Sequence, residues 1–86
     1  MKVGIPTVLQ NYTGGARIVD AEGTTVADLL ANLDARYPGI RFRMVNERDA
    51  LRPHMRVFVN KESIADLTHV LSHNDEVLIL HALSGG

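Results

Sequence analysis

Glu76-Val77-Leu78-Ile79-Leu80-His81-Ala82, running on into Leu83-Ser84-Gly85-Gly86, is the stretch on which the fold turns. Its first half is apolar at both parities, so a strand here has no purely polar side. If Val77 and Ile79 face a helix, Leu78 and Leu80 face the opposite way. Such a strand offers one apolar side to the helix and a second to the open face of the sheet. The glycines that follow predict a soft extended tail, 84–86, attached to a domain spanning 1–83. A terminal Gly-Gly carboxylate is expected to be a group that another protein can reach and modify. The plainer reading is an end frayed like most chain ends.

Upstream, Asn74-Asp75 reads as a tight turn leading into that strand, and Leu67, Val70 and Leu71 suggest a helical turn before it. Met55 to Asn60 alternates with Val57 and Val59 and predicts a strand. A short strand at Ser63 to Ala65 follows a turn at Asn60-Lys61-Glu62. The segment from Ile40 to Pro53 is irregular, with Phe42, Met44 and Val45 compatible with one helical turn. Thr25 can cap a helix whose first turn carries Asp28. Val26, Leu29, Leu30 and Leu33 give that helix one apolar face, and Tyr37-Pro38-Gly39 ends it. Met1 to Leu9 and Ala16 to Ala21 read as a hairpin about Thr13-Gly14-Gly15, with Pro6 forcing an edge or a local gap in pairing. The order strand, strand, helix, strand, short strand, strand predicts an α+β domain in two layers, a mixed four- to five-stranded sheet on one main helix. The expected core is Val3, Ile5, Ile18, Val26, Leu29, Leu33, Val57, Val59, Val77 and Ile79. Phe58 shares the outward parity of Leu78 and Leu80. These three predict an apolar docking patch, unless the 41–53 loop folds across it.

Eighty-six residues with 45% hydrophobic and 22% charged side chains suit a single small globular domain. The net charge of −1 gives no general pull toward nucleic acid. Five arginines, Arg41, Arg43, Arg48, Arg52 and Arg56, do crowd one stretch. With only Phe42 and Phe58 interleaved, a solvated or protein-docking face is expected there rather than an RNA surface. The chain has no cysteine, which removes disulfides, thiolate nucleophiles and cysteine metal ligands together. No signal-peptide block and no membrane-length apolar run occurs. A cytoplasmic location with no membrane partner is the expectation.

The hairpin, the capped helix, Val57-Phe58-Val59-Asn60, Asn74-Asp75-Glu76-Val77 and the final Gly85-Gly86 together resemble the MoaD/ThiS family of ubiquitin-like β-grasp sulfur carriers. A narrower resemblance, to the CysO-type carriers of cysteine biosynthesis, lies in Ile5-Pro6-Thr7-Val8-Leu9, Thr13-Gly14-Gly15, Tyr37-Pro38-Gly39-Ile40 and the strand Arg56 to Asn60. Where such relatives usually carry proline, this chain has His81.

The resemblance implies a cycle. An E1-like adenylyltransferase/sulfurtransferase uses ATP to adenylate the Gly86 carboxylate, and a sulfur donor displaces AMP to leave a thiocarboxylate. A pyridoxal-phosphate (PLP)-dependent cysteine synthase then uses that sulfur, and a metalloprotease releases the cysteine. The chain itself would bind no cofactor and would not be an enzyme. The residue types suit the task. Gly86 has no side chain to hinder attack at its carbonyl, and Gly85 with Ser84 can thread a narrow channel.

Competing chemistry is thin. His69 and His73 stand four apart, a metal-binding spacing on a helix, but Asn74-Asp75 would end that helix and no Glu-x-x-His accompanies them. Ser63 and Ser72 lack any nucleophile motif. Asp20, Glu22 and Asp28 read as turn and cap acids. Two classes of alternative stay open. One is a carrier for molybdopterin or thiamine thiazole, or a protein-conjugating modifier. The other is a β-grasp module that binds without covalent chemistry.

Overall fold

In the computed structural model, which describes residues 1–82, five strands and two helices follow in the order β1 (Lys2–Gly4), β2 (Ile18–Asp20), α1 (Val26–Arg36), α2 (Ile40–Met44), β3 (Met55–Val59), β4 (Glu62–Ile64) and β5 (Val77–His81). The sheet order is β2-β1-β5-β3-β4. Only β1 and β5 run parallel, and the other neighbours are antiparallel. The doubly apolar strand β5 is therefore central. The boundary expected between 83 and 84 lies outside the described residues.

Period-two alternation gives each strand one buried side. Val3, Val57, Val59, Val77 and Ile79 meet Val26, Leu29, Leu30 and Leu33 of α1 in one core, which Ile40, Met44 and Val45 extend. Helix α1 begins where the sequence indicates. The Thr25 hydroxyl accepts from the Asp28 amide at 3.1 Å, and the Asp28 carboxylate accepts from the Thr24 amide at 2.9 Å. This reciprocal pair satisfies amides that a helix start leaves without partners. Asp34 accepts from the amides of Gly39 and Arg41, which turns the chain from α1 into α2.

Four expectations need correction. The first strand stops at Gly4 instead of reaching Leu9. Pro6 has no amide to donate and takes φ −69°, and Thr7–Thr13 then winds as a 3-10 helix. That helix buries Leu9 and Thr13, and Gln10 reaches back to the Ile5 carbonyl. The second strand is likewise shorter than predicted. Its register places Val19 opposite Val3 and Ile18 opposite Gly4, so Val19 and Ala21 are core while Ile18 is 62% exposed. Finally, Leu67 to Leu71 forms no helical turn. Its Leu67 and His69 carbonyls accept from the Ala27 and Val26 amides, and the Leu71 amide donates to the Thr24 carbonyl. The segment is an extended strap across the start of α1, with Val70 bridged to Thr25. The mixed sheet over one main helix is the β-grasp arrangement.

Candidate functional site: the open face of the sheet

Registers fix a row of residues that crosses all five strands on the side away from α1: Ile18, Gly4, Leu78, Phe58 and Ser63. Leu80 stands one step along β5, opposite Arg56. Leu78 and Leu80 are 44% and 39% exposed and Phe58 is half-buried. These three residues share a groove with Gly4, Ile5 and Ile18, and Lys2, Arg17, Lys61 and Glu76 stand along it. None of the groove's lining comes from 41–53, so that loop leaves the face open.

Two members of this face were not legible as such. Ile18 belongs here rather than in the core. Gly4 matters through what it lacks: a Cβ there would lie 2.6 Å from Leu78 Cδ1. The missing side chain lets Leu78 lie across β1 and joins Ile18 to the rest of the apolar surface. The signal available in the sequence was parity, since Gly4 and Ile18 pair once Val3 and Val19 are set inward.

The face is held by a polar lock at one end. Asn60 and Lys61 form a two-residue β3–β4 turn with φ of 49° and 72°, the handedness that suits a tight hairpin. The Asn60 side chain accepts from the Glu76 amide and donates to Asp75, each at 2.9 Å, while its own amide donates to the Glu76 carbonyl. Asp75 also accepts from the Ser72 amide at 2.8 Å. That backbone bond, with the Asn60 amide second, holds the Asp75 carboxyl below its ordinary range against a small opposing effect of burial. Asp66 is lowered likewise, by the Thr68 amide first and the Thr68 hydroxyl second. Two sequence fragments, at 57–60 and 74–77, are thus one structural unit that sets where β5 begins.

The remaining candidates disperse. His69 and His73 share no helix, and the described residues contain no cluster of three side chains able to hold a metal. Asp20 pairs with Lys2, Glu22 with the N-terminal amine, and Asp28 caps α1. Ser63 sits in β4 and Ser72 in the turn before β5. Ser84, Gly85 and Gly86, the expected tail and reacting group, lie outside the described residues. Among the described residues no helix is long and apolar enough to cross a membrane.

A β-grasp sheet with one uncovered apolar face, whose central strand leads toward a diglycine, defines the ubiquitin-like class of small proteins. The chain belongs to the ThiS family, whose sequence profile matches residues 3–86. It is 34% identical over 89 aligned positions to the sulfur carrier protein CysO of Mycobacterium tuberculosis, covering 98% of this chain and 96% of that protein. Among solved structures it resembles the Amycolatopsis orientalis BexX/CysO complex, with TM-score 0.91 and 35% identity over 99% of this chain and 98% of that one. Small archaeal modifier protein 1 from Haloferax volcanii also superposes, with TM-score 0.79 and 28% identity over 100% and 98% of the two chains.

Proposed function

We propose that this protein is a sulfur carrier of the CysO type, with the Gly86 carboxylate as its working group. The observation that carries the reading is the near full-length similarity to sulfur carriers, within a family match that runs to Gly86. In the proposed cycle a carboxylate oxygen of Gly86 attacks the α-phosphorus of ATP on an E1-like enzyme, releasing pyrophosphate and forming an acyl adenylate. A sulfur donor attacks the acyl carbon, AMP leaves, and a thiocarboxylate remains. Activation is needed because a carboxylate oxygen is a poor leaving group and AMP is a good one. The thiocarboxylate sulfur is then the nucleophile for a PLP-dependent cysteine synthase, and a metalloprotease frees the product. All catalysis and all cofactors belong to the partners.

The open face supplies what a small reacting group needs, a rigid surface for recognition at a distance from the chemistry. Phe58, Leu78 and Leu80 form the centre of that docking surface, with Ile18 extending it. Aromatic and aliphatic anchors of this kind dominate interface energetics, and their burial offsets the general cost of association. Similarity to an archaeal modifier favours one second reading, in which the same activated acyl end is joined to a protein amine. The test is intact-protein mass spectrometry of the chain from its native cell. A carrier shows one oxygen replaced by sulfur, and the cysteine route adds a cysteinyl adduct. A protein adduct alone favours the modifier. In reconstitution, deletion of Gly86 abolishes adenylate formation while the fold is retained. Persistence of the adenylate would sink the proposal.

A further inference from the structure

A second surface lies apart from the open sheet face, where β5 ends. Phe42, Arg43, Arg52 and His81 line a cleft with Val8 and Met55. Its polar part is built rather than merely solvated. Arg52 donates from Nε to the Phe42 carbonyl at 2.8 Å, and its guanidinium lies 4.6 Å from the Phe42 ring centroid. One backbone bond and one cation–π contact therefore fix the fork while its terminal nitrogens keep their donors. The ion pairs among the described residues are Met1–Glu22, Lys2–Asp20 and Arg41–Asp49. Arg41 is thus neutralised by Asp49, whereas Arg43 and Arg52 face no carboxylate among the described residues. His54 stands behind His81, with ring centroids 6.0 Å apart and planes tilted by 47°. Phe42 and Val8 are 60% and 52% exposed, an apolar lip beside unspent positive charge.

We infer that this cleft is a docking site for an acidic segment of a protein partner, one that sets carboxylates on either side of an apolar side chain. Charge complementarity names the occupant. Two guanidinium groups with no carboxylate partner among the described residues fit paired carboxylates, and a held arginine fork fits one of them in two-point contact. A nucleic acid fits less well, because one face of Phe42 is already taken by Arg52 and the chain as a whole is slightly negative. The location gives the contact a purpose. The Ala82 amide donates to the His54 carbonyl at 2.7 Å, which anchors the end of β5 beside the cleft. A partner that grips the chain beyond Ala82 has this surface next to it. The cleft then sets approach rate and orientation, the usual effect of charged interface rims.

The inference does not depend on the tail's chemistry, and its test leaves that chemistry aside. The ¹⁵N-labelled 86-residue chain is titrated with a short blocked peptide of alternating glutamate and leucine, at low salt. Shifts are expected to saturate and to concentrate at Phe42, Arg43, His54, His81 and the Arg52 Nε–H. About 0.5 M salt should largely abolish them. The R43Q/R52Q variant should bind at least about tenfold more weakly, and R52K, which keeps charge without the fork, should fall between. Arg43 is exposed, so R43Q alone still reads the site if the double variant fails to fold. A Leu78→Ser variant should bind the peptide unchanged. Absence of saturable shifts, an equal response to a lysine–leucine peptide, or unaltered binding by a folded R43Q/R52Q variant would overturn the inference. So would a stronger response of these residues to oligodeoxythymidylate. Matching shifts on deleting residues 84–86, without peptide, would make the occupant this chain's own end and overturn it equally.

Discussion

Gly23 stands where the connection leaving β2 meets the start of α1. A Cβ at that position would lie 2.5 Å from the Leu29 amide nitrogen and 2.6 Å from its Cα. Those are helix backbone atoms of a fully buried leucine, so neither can swing aside. Gly4 looks similar by distance, since its nearest neighbour would also be at 2.6 Å. There the neighbour is Leu78 Cδ1, the free end of a half-exposed side chain that can change rotamer. The two glycines therefore separate on substitution. Gly23→Ala should cost at least about 1–3 kcal/mol, the range for a forced overlap in a packed core. Gly4→Ala should stay within about 1 kcal/mol and alter the open face instead. Urea midpoints of both variants measure this, and equal losses would mean that the α1 contact yields as easily as a leucine tip. Neither constraint was legible beforehand. A glycine in a loop carries no mark of what passes within van der Waals reach of it, whereas Thr25 and Asp28 announce their roles because capping needs only neighbours in sequence.

The same difference between local and distant partners decides which elements were legible. Helix α1, the turn of α2 and strands β3, β4 and β5 follow from periodicity and caps that lie within each segment. Leu67 to Leu71 misled because its spacing is helical while its carbonyls are taken by Val26 and Ala27, about forty residues back. The first strand misled because β-branched Thr7 and Val8 favour extension, yet beyond Pro6 there is no ladder partner to extend against. The Asn60–Asp75 lock was visible only as two unconnected fragments, and it carries a prediction at this scale. The folded chain holds the Asp75 carboxyl below its ordinary value, so on acidification the unfolded chain binds a proton first. Stability due to this lock is therefore present above about pH 4 and is lost as pH falls through the lower, folded value. Asp75→Asn cannot titrate and keeps one acceptor oxygen of two. It should be less stable than the parent at neutral pH, with the gap narrowing below about pH 4. Asp66 shifts in the same direction, so some acid lability remains in the variant. Urea midpoints taken across the acid range test this, and a gap that widens on acidification would reverse the assignment.

Across the whole molecule the sheet acts as a partition. One side is closed by α1 and the other is left open, and the two sides alternate residue by residue along β5. The sequence showed that division in Val77 and Ile79 against Leu78 and Leu80, because side chains on a strand must alternate whatever packs on them. What it could not show was which strands bring Ile18 and Gly4 beside Leu78, since that depends on the parallel pairing of β1 with β5. The partition predicts that stability and recognition separate cleanly by face. Leu33 is fully buried against the sheet, and Leu33→Ala should cost about 2–5 kcal/mol through lost burial and a residual cavity. Leu80→Ser on the open face should change the unfolding free energy by no more than about 0.5 kcal/mol. If the proposed activation by an adenylating enzyme holds, the same serine should raise the KM for the carrier in ATP–pyrophosphate exchange while leaving kcat nearly unchanged, because it removes binding without touching the reacting end. Leu33→Ala, assayed below its unfolding temperature, should leave that KM near the parent value. A serine variant that unfolds, or a core variant that shifts KM while still folded, would show that one layer serves both ends and that the open face is not a separate recognition surface.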